Sequence, residues 1–349
     1  MKTSTRGFLV SFLFGSTVAV AVYLALFFYQ FGAPIPAGYD IAKAAVLKSE
    51  AASLVRGRKI LLVGDSNLLF GVDSSYAAIN LGLPVMNMGL HGGLPLDYWQ
   101  LDFPLSFANM GDVVVIGFVW RLYVEDYRKP HAWYVDQLIA WDRQYFDGLP
   151  FLRKLPYLSA VSPRGMWRNI AAKLDRSTIE KENPERTVPS REKILSRYYS
   201  EASSRSTFEY SYINMNFRGD MRFACGHAAE PNIHDVELPT RYPNKEALDR
   251  IVDTVHRLER NGVRVFVVAP AMIDDAQTRD PEYLAVTDEI WRSLKKNGVH
   301  VLGTPTDYYF PRDAFFDTAF HVNCEHTKER TDRLIAALKP VIQGEAQNR

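Results

Sequence analysis

The chain has 349 residues, 47% of them hydrophobic and 13% aromatic, and carries a formal net charge of +1. That length holds one large domain or two modest ones, and the composition suits a well-buried core. The near-neutral charge argues against a nucleic-acid partner, which usually recruits a visible basic excess, and no repeat at a solenoid period is present.

No residue from Gly7 to Tyr29 is charged, and this run is about long enough to cross a ~30 Å hydrocarbon core as a helix. Lys2 and Arg6 precede it, so the positive-inside rule leaves the short N-terminus in the cytoplasm and sends the body across. A cleavable signal peptide would have an apolar run of only about 7–15 residues and a small-x-small cleavage site, for which FGAPIPAG is a poor match. An uncleaved anchor over residues 1–29 is expected. Residues 30–57, with Pro34, Pro36 and Gly38, read as a linker and a short helix.

Beyond residue 57, apolar runs alternate with helix-length segments. Strands are expected at Lys59–Val63, Pro84–Met88, Asp112–Phe118, Val263–Ala269 and Val299–Leu302. Helices are expected near Ser74–Leu81, Leu96–Ala108, Lys245–Asn261, Pro281–Lys296 and Glu325–Leu338, with Asn261-Gly262 and Asn297-Gly298 as stops that tolerate left-handed geometry. Strand–helix alternation with β-branched strand cores predicts an α/β fold, a doubly wound parallel five-stranded sheet covered on both faces. This domain spans about 58–340 and leaves 341–349 as a tail. The stretch from about 122 to 240 breaks the rhythm and reads as an inserted helical cap. Its tract from Arg164 to Arg205 holds ten basic and six acidic residues, which could form a basic face for an anionic glycan, although the interspersed signs are more ordinary on a solvated helical surface.

The segment KILLVGDSNLLFGVDSS carries the chemistry. A hydrophobic strand ends at Val63, Gly64 permits a sharp turn, and Asp65-Ser66 falls where a helical segment begins. A serine there sits at the ligand-binding edge of an open α/β sheet, beside helix N–H groups able to face an oxyanion. Simple capping of a helix by Asp65 and Ser66 explains the same residues. A serine nucleophile needs a base and an orienting group. Asp317 and His321 lie in a loop before the final helix, again at the carboxyl edge, and imidazole titrates near neutrality. His326 is a competitor expected inside the final helix.

Gly64-Asp65-Ser66 after a strand, with Asp317 and His321 shortly before a C-terminal helix, resembles the SGNH/GDSL hydrolase superfamily. The resemblance implies a Ser66–His321–Asp317 triad. It also implies an oxyanion hole built from the Ser66 and Gly89 amides, with Gly89 in PVMNMGLHGG at the second-block glycine. The ending DTAFHVNCEHTKERT is similar to single-span bacterial envelope proteins of the polysaccharide O-acetylation and D-alanyl transfer type. The resemblance covers about residues 58–120 and 240–340. Two departures stand out: GFVWRLY occupies the place of the third-block asparagine, and the aspartate–histidine spacing is one residue longer than the commoner one.

The family therefore implies a membrane-anchored acyl esterase or O-acyltransferase, with its main domain in the periplasm and an envelope glycan or acyl-group substrate. Partners would be the inner membrane and a membrane-bound O-acyltransferase or other polysaccharide-assembly subunits. Asp65, Asn67, His91, Trp120 and Arg121 are candidate substrate contacts. Arg218-Gly219-Asp220 resembles an element of the same envelope relatives, although an ordinary turn explains it too. The eight histidines show no zinc spacing, so no metal or other cofactor is expected. Cys225 and Cys324 are an even number in a compartment that permits disulfides; whether they pair or lie apart as buried thiols stays open. The rival reading is a non-catalytic scaffold or glycan-binding subunit.

Overall fold

A computed structural model of the chain describes residues 2–228 and 242–343; the end of the expected cap, 229–240, and most of the expected tail, 344–349, lie outside the described residues. The strands are β1 (Ile60–Gly64), β2 (Val85–Asn87), β3 (Val113–Gly117), β4 (Arg264–Val268), β5 (Met272–Ile273), β6 (Val301–Leu302) and β7 (Tyr309–Phe310). Five of them form one sheet in the order β2-β1-β3-β4-β6, and every neighbouring pair is parallel. β1 and β3 are buried along their whole length, which is why both read as unbroken apolar runs. The sequence does not mark β5 and β7, which pair as a separate two-stranded ribbon. Two-residue strands carry no periodicity.

Helices flank this sheet. Ser74–Leu81 lies against the C-terminal helix Thr327–Gln343, and Lys245–Arg260 lies against Pro281–Lys296. Their limits follow local chemistry. Asp73 accepts from the Ser75 and Tyr76 amides to start Ser74–Leu81, and Gly82, at φ 69°, ends it. Asp280 with Pro281 starts another helix by the same means. Leu96–Ala108 departs from expectation: it is a π-helical turn, Leu96–Asp102, followed by a short α-turn, Phe103–Leu105. At the far end of β1 and β3, Lys59 Nζ meets Asp112 Oδ2 at 2.7 Å, and the Lys59 and Asn109 amides complete that carboxylate's hydrogen bonds. Removing one partner of such a buried pair costs about 3–5 kcal/mol.

The chain folds as two compact units. The sheet unit takes Asp40–Arg128 and everything from Pro189 onward, while the other takes Met1–Tyr39 with Lys129–Val188. In the latter, the N-terminal helix Lys2–Tyr29 contains Gly7–Tyr29, 23 residues of mean hydropathy 2.2, long and apolar enough to cross a membrane. The final turn of that helix is enclosed by its own unit. Phe27, Phe31 and Phe146 cluster edge-on and tilted, with centroids 5.4–5.6 Å apart, and Gly32 N donates to Ile139 O at 2.7 Å.

Candidate active site

Strand order 2-1-3 reverses direction at β1. The carboxyl ends of β1 and β3 therefore flank a topological switch point, the usual binding crevice of open α/β sheets. Gly64 and Gly117 lie opposite each other there, and a Cβ on Gly64 would come within 2.5 Å of Gly117 O. The paired glycines let Leu68, on the short helix Ser66–Leu69, settle over the strand ends. Ser66 is the first residue of that helix, where an N–H has no intrahelical acceptor. Its hydroxyl makes no hydrogen bond among the described residues.

Asp317 and His321 ride on a tight loop. Phe315 and Val322 bridge antiparallel, and Phe316 N donates to His321 O at 2.9 Å. His321 Nδ1 and Asp317 Oδ1 are 2.7 Å apart, and the Tyr210 hydroxyl donates to Asp317 Oδ2. Burial works to raise the Asp317 carboxyl, but the bond and charge of His321 together with Tyr210 hold it below its ordinary value. Tyr210 itself is pushed well up by burial and by that carboxylate. The opposite ring nitrogen, His321 Nε2, is buried with no hydrogen-bond partner among the described residues. The imidazole stacks on Phe70, centroids 4.2 Å apart and planes at 14°.

The serine helix and the histidine loop are joined through the residues next to Ser66 and His321. Asn67 Nδ2 donates to Phe320 O at 3.2 Å and to Ala271 O at 2.8 Å. Arg330, buried on the C-terminal helix, donates to Asn67 O, to Asn67 Oδ1 and, at 2.8 Å, to Phe70 O. Burial pulls the Arg330 guanidinium down to about 10. Ser66 and His321 thus occupy adjoining, fixed segments.

Several candidates have other roles. Asp65 and Asn67 are fully buried, and Trp120 is 1% exposed. Asp65 accepts from Asn67 N and Val119 N, at 2.7 and 2.8 Å. GFVWRLY thus offers the backbone amide of Val119 to Asp65. Trp120 packs edge-on against Trp291 at 5.7 Å. Arg121 pairs with Glu125. His91 is exposed in the glycine loop, its Nδ1 accepting from Gly93 N at 3.0 Å. Gly89 N donates to Asn87 Oδ1 at 3.0 Å. Gly89 still requires its residue type, since a Cβ would sit 2.7 Å from Asp65 O. His326 precedes the final helix rather than lying within it and is held by Asn323 Oδ1 at 2.9 Å.

Arg218-Gly219-Asp220 is structural. Arg218 O accepts from Asn87 N at 2.8 Å, extending the free edge of β2. The buried Asp220 carboxylate accepts from Ser74 N and Oγ, Asn87 Nδ2 and Asn216 Nδ2. Lys48 Nζ donates to Asn87 O and Gly219 O, each at 2.7 Å. The turn therefore fixes Asn87, which in turn fixes Gly89. Cys225 and Cys324 form a disulfide three residues past His321. With Glu325 they are the one cluster of ligand-type atoms among the described residues, but disulfide sulfurs have no thiolate to give a metal.

No local sequence pattern singles out Tyr210, Phe70 or Asn87 as part of the site, and Arg330 hardly more. Only Arg330 leaves a trace there: it falls in step with Leu334, Leu338 and Ile342, a charge in the buried stripe of an amphipathic helix.

No family model matches the chain, and no curated protein matches it. Among solved structures it is similar to the crystal structure of protein YxiM from Bacillus subtilis, at 9% identity and a TM-score of 0.35, over 82% of this chain and 57% of that one. The chain thus spans little more than half of that neighbour's length. A likeness this loose bears on neither activity nor substrate.

Proposed function

We propose that this chain is a membrane-anchored, extracytoplasmic acyl esterase or O-acyltransferase of the SGNH type, acting on an envelope polysaccharide through Ser66, His321 and Asp317. The observation that carries this reading is the His321 ring. One nitrogen is bound to a carboxylate and the other is buried and unpartnered, beside the helix that begins with Ser66. In the proposed reaction Ser66 Oγ attacks the ester carbonyl as His321 Nε2 takes its proton, and Asp317 stabilises the imidazolium. Collapse of the tetrahedral adduct passes that proton to the departing alkoxide and leaves an acyl-serine. Water or a sugar hydroxyl then attacks, giving its proton to Nε2, which passes it to the departing Ser66 Oγ as the second adduct collapses to free acid or acylated sugar. The Ser66 amide is the backbone donor available to the oxyanion. Glycan substrate, periplasmic placement and partnership with a membrane-bound O-acyltransferase belong to the same proposal and rest on the sequence resemblance.

A non-catalytic scaffold or glycan-binding role is the second reading. It is favoured by the commitment of Gly89 N to Asn87 and by the missing third-block amide. A fluorophosphonate probe on the full chain in detergent separates the two. Labelling of wild type at Ser66, lost in Ser66→Ala and sharply slowed in His321→Ala, is the expected result. A folded wild type that stays unlabelled, or labelling that persists in Ser66→Ala, would favour the scaffold.

A further inference from the structure

Two helices of the anchor-containing unit, Phe151–Ala160 and Pro163–Leu174, lie beside the last turns of the N-terminal helix. The Tyr23 hydroxyl donates to Leu158 O, Asn169 Nδ2 donates to Gln30 Oε1 at 2.8 Å, and Lys173 Nζ donates to Tyr29 O and Phe31 O, each at 2.6 Å. Tyr23 comes six residues before Tyr29, the end of the apolar run. At 1.5 Å per residue that is about 9 Å along the helix. Leu158 is therefore level with the apolar span, while Lys154, over the Phe146 ring that packs on Phe27 and Phe31, is level with its end.

The exposed side chains match that level. Phe151, Leu152 and Leu155 share one helical face and are 73, 75 and 43% exposed, while Trp167 and Leu174, seven residues apart, are 72 and 71% exposed. From Phe151 to Leu174 there is no aspartate or glutamate, yet there are five basic residues: Arg153, Lys154, Arg164, Arg168 and Lys173. Large apolar and aromatic side chains among cations, with no carboxylate inside either helix and Asp136 pairing with Arg168 at 3.2 Å, make up the composition of helices that lie in a headgroup region. A water-facing surface seldom gathers so much exposed apolar area.

We propose that Phe151–Ala160 and Pro163–Leu174 form a membrane-interface platform, with Phe151, Leu152, Leu155 and Trp167 in the headgroup–acyl boundary and Arg153, Lys154, Arg164 and Arg168 at lipid phosphates, while Lys173 ties the platform to the N-terminal helix. The platform rests on the reading of Gly7–Tyr29 as a membrane span. It converts a single flexible tether into a seat that sets the height and tilt of its unit.

The test uses the full chain, native disulfide intact, in POPC/POPG nanodiscs with one added cysteine carrying a nitroxide. Positions are Leu152→Cys, Val20→Cys within the span and Ile79→Cys on the exposed helix of the sheet unit. Collision rates with oxygen and with a water-soluble nickel chelate report depth. Leu152 should resemble Val20, oxygen-accessible and shielded from nickel, and Ile79 should show the reverse. Nickel access at Leu152 equal to that at Ile79, with Val20 still shielded, overturns the platform alone. Nickel access at Val20 overturns the span beneath it. A Leu152 label shielded from both reagents shows a protein partner or second copy there and also overturns the proposal. Phe151→Cys must repeat the Leu152 result, which guards against local misfolding of one variant.

Discussion

Asp65 is a carboxylate completely removed from water whose two oxygens are both taken by backbone amides. Burial pushes it up to about 6, against the pull of those amides and of nearby His321 and Arg330. An unfolded aspartate titrates near 3.9, so between about pH 4 and 6 the folded state holds the extra proton. The contribution of Asp65 thus favours folding at low pH and is lost as pH rises through about 6. Asp65→Asn cannot ionise. Wild type should therefore lose stability relative to this variant across that window, by at most roughly 3 kcal/mol. Denaturant unfolding of the full chain in detergent at both pH values checks this, and a constant gap between the two proteins would refute it. A polar residue next to a candidate nucleophile reads equally well as a substrate contact or as a brace. Only the return of Val119 from β3 decides, and no local pattern encodes that. Asp317 and His321 were legible because they sit four residues apart in one loop; Tyr210, 107 residues from its carboxylate, was not.

Among the elements, the turn around Gly219 bears most directly on the site. Gly219 adopts φ +93°, and a Cβ there would approach Asn87 O to 2.1 Å. Gly82 also has positive φ, +69°, but open space around it. Gly82→Ala should therefore cost only the left-handed conformation, about 1–2 kcal/mol. Gly219→Ala adds displacement of β2 and should lower thermal stability clearly further and slow probe labelling at Ser66. Equal shifts in the two variants would deny the turn its hold on Asn87. The disulfide constrains the same neighbourhood. It closes a separation of 99 residues, for which chain entropy suggests up to about 4–5 kcal/mol, and beside it Cys324 N donates to Ala224 O at 2.9 Å. The long elements were readable: Ser74–Leu81 and Pro281–Lys296 fall where capping residues and periodicity put them, and β1, β3 and β4 start within a residue of their apolar runs. The π-helical turn at Leu96 was not, because its apolar spacing differs little from that of an α-helix over seven residues.

At the scale of the molecule, two segments distant in sequence, Met1–Tyr39 and Lys129–Val188, make one unit, and the sheet unit is likewise drawn from two stretches. If Gly7–Tyr29 spans a membrane with Lys2 and Arg6 on the cytoplasmic side, alkaline phosphatase fused after Arg349 should be active and a cytoplasmic reporter silent; the opposite pattern would overturn that orientation. The interleaving also governs how the protein can be handled. Phe27 is fully buried, and it meets Phe146 from the other half of its unit. A truncation beginning at residue 40 therefore does more than release a soluble domain. It strips Phe27 and Phe31 from Phe146 and removes Gly32, whose amide binds Ile139 O. Each lost phenylalanine contact surface is worth about 2–3 kcal/mol of burial, and the helices left behind would present that face to solvent. Expression trials that trim the N-terminal helix should accordingly give material prone to clumping even with the sheet unit intact. A cut that removes both halves together, or none at all, respects the way this polypeptide is woven.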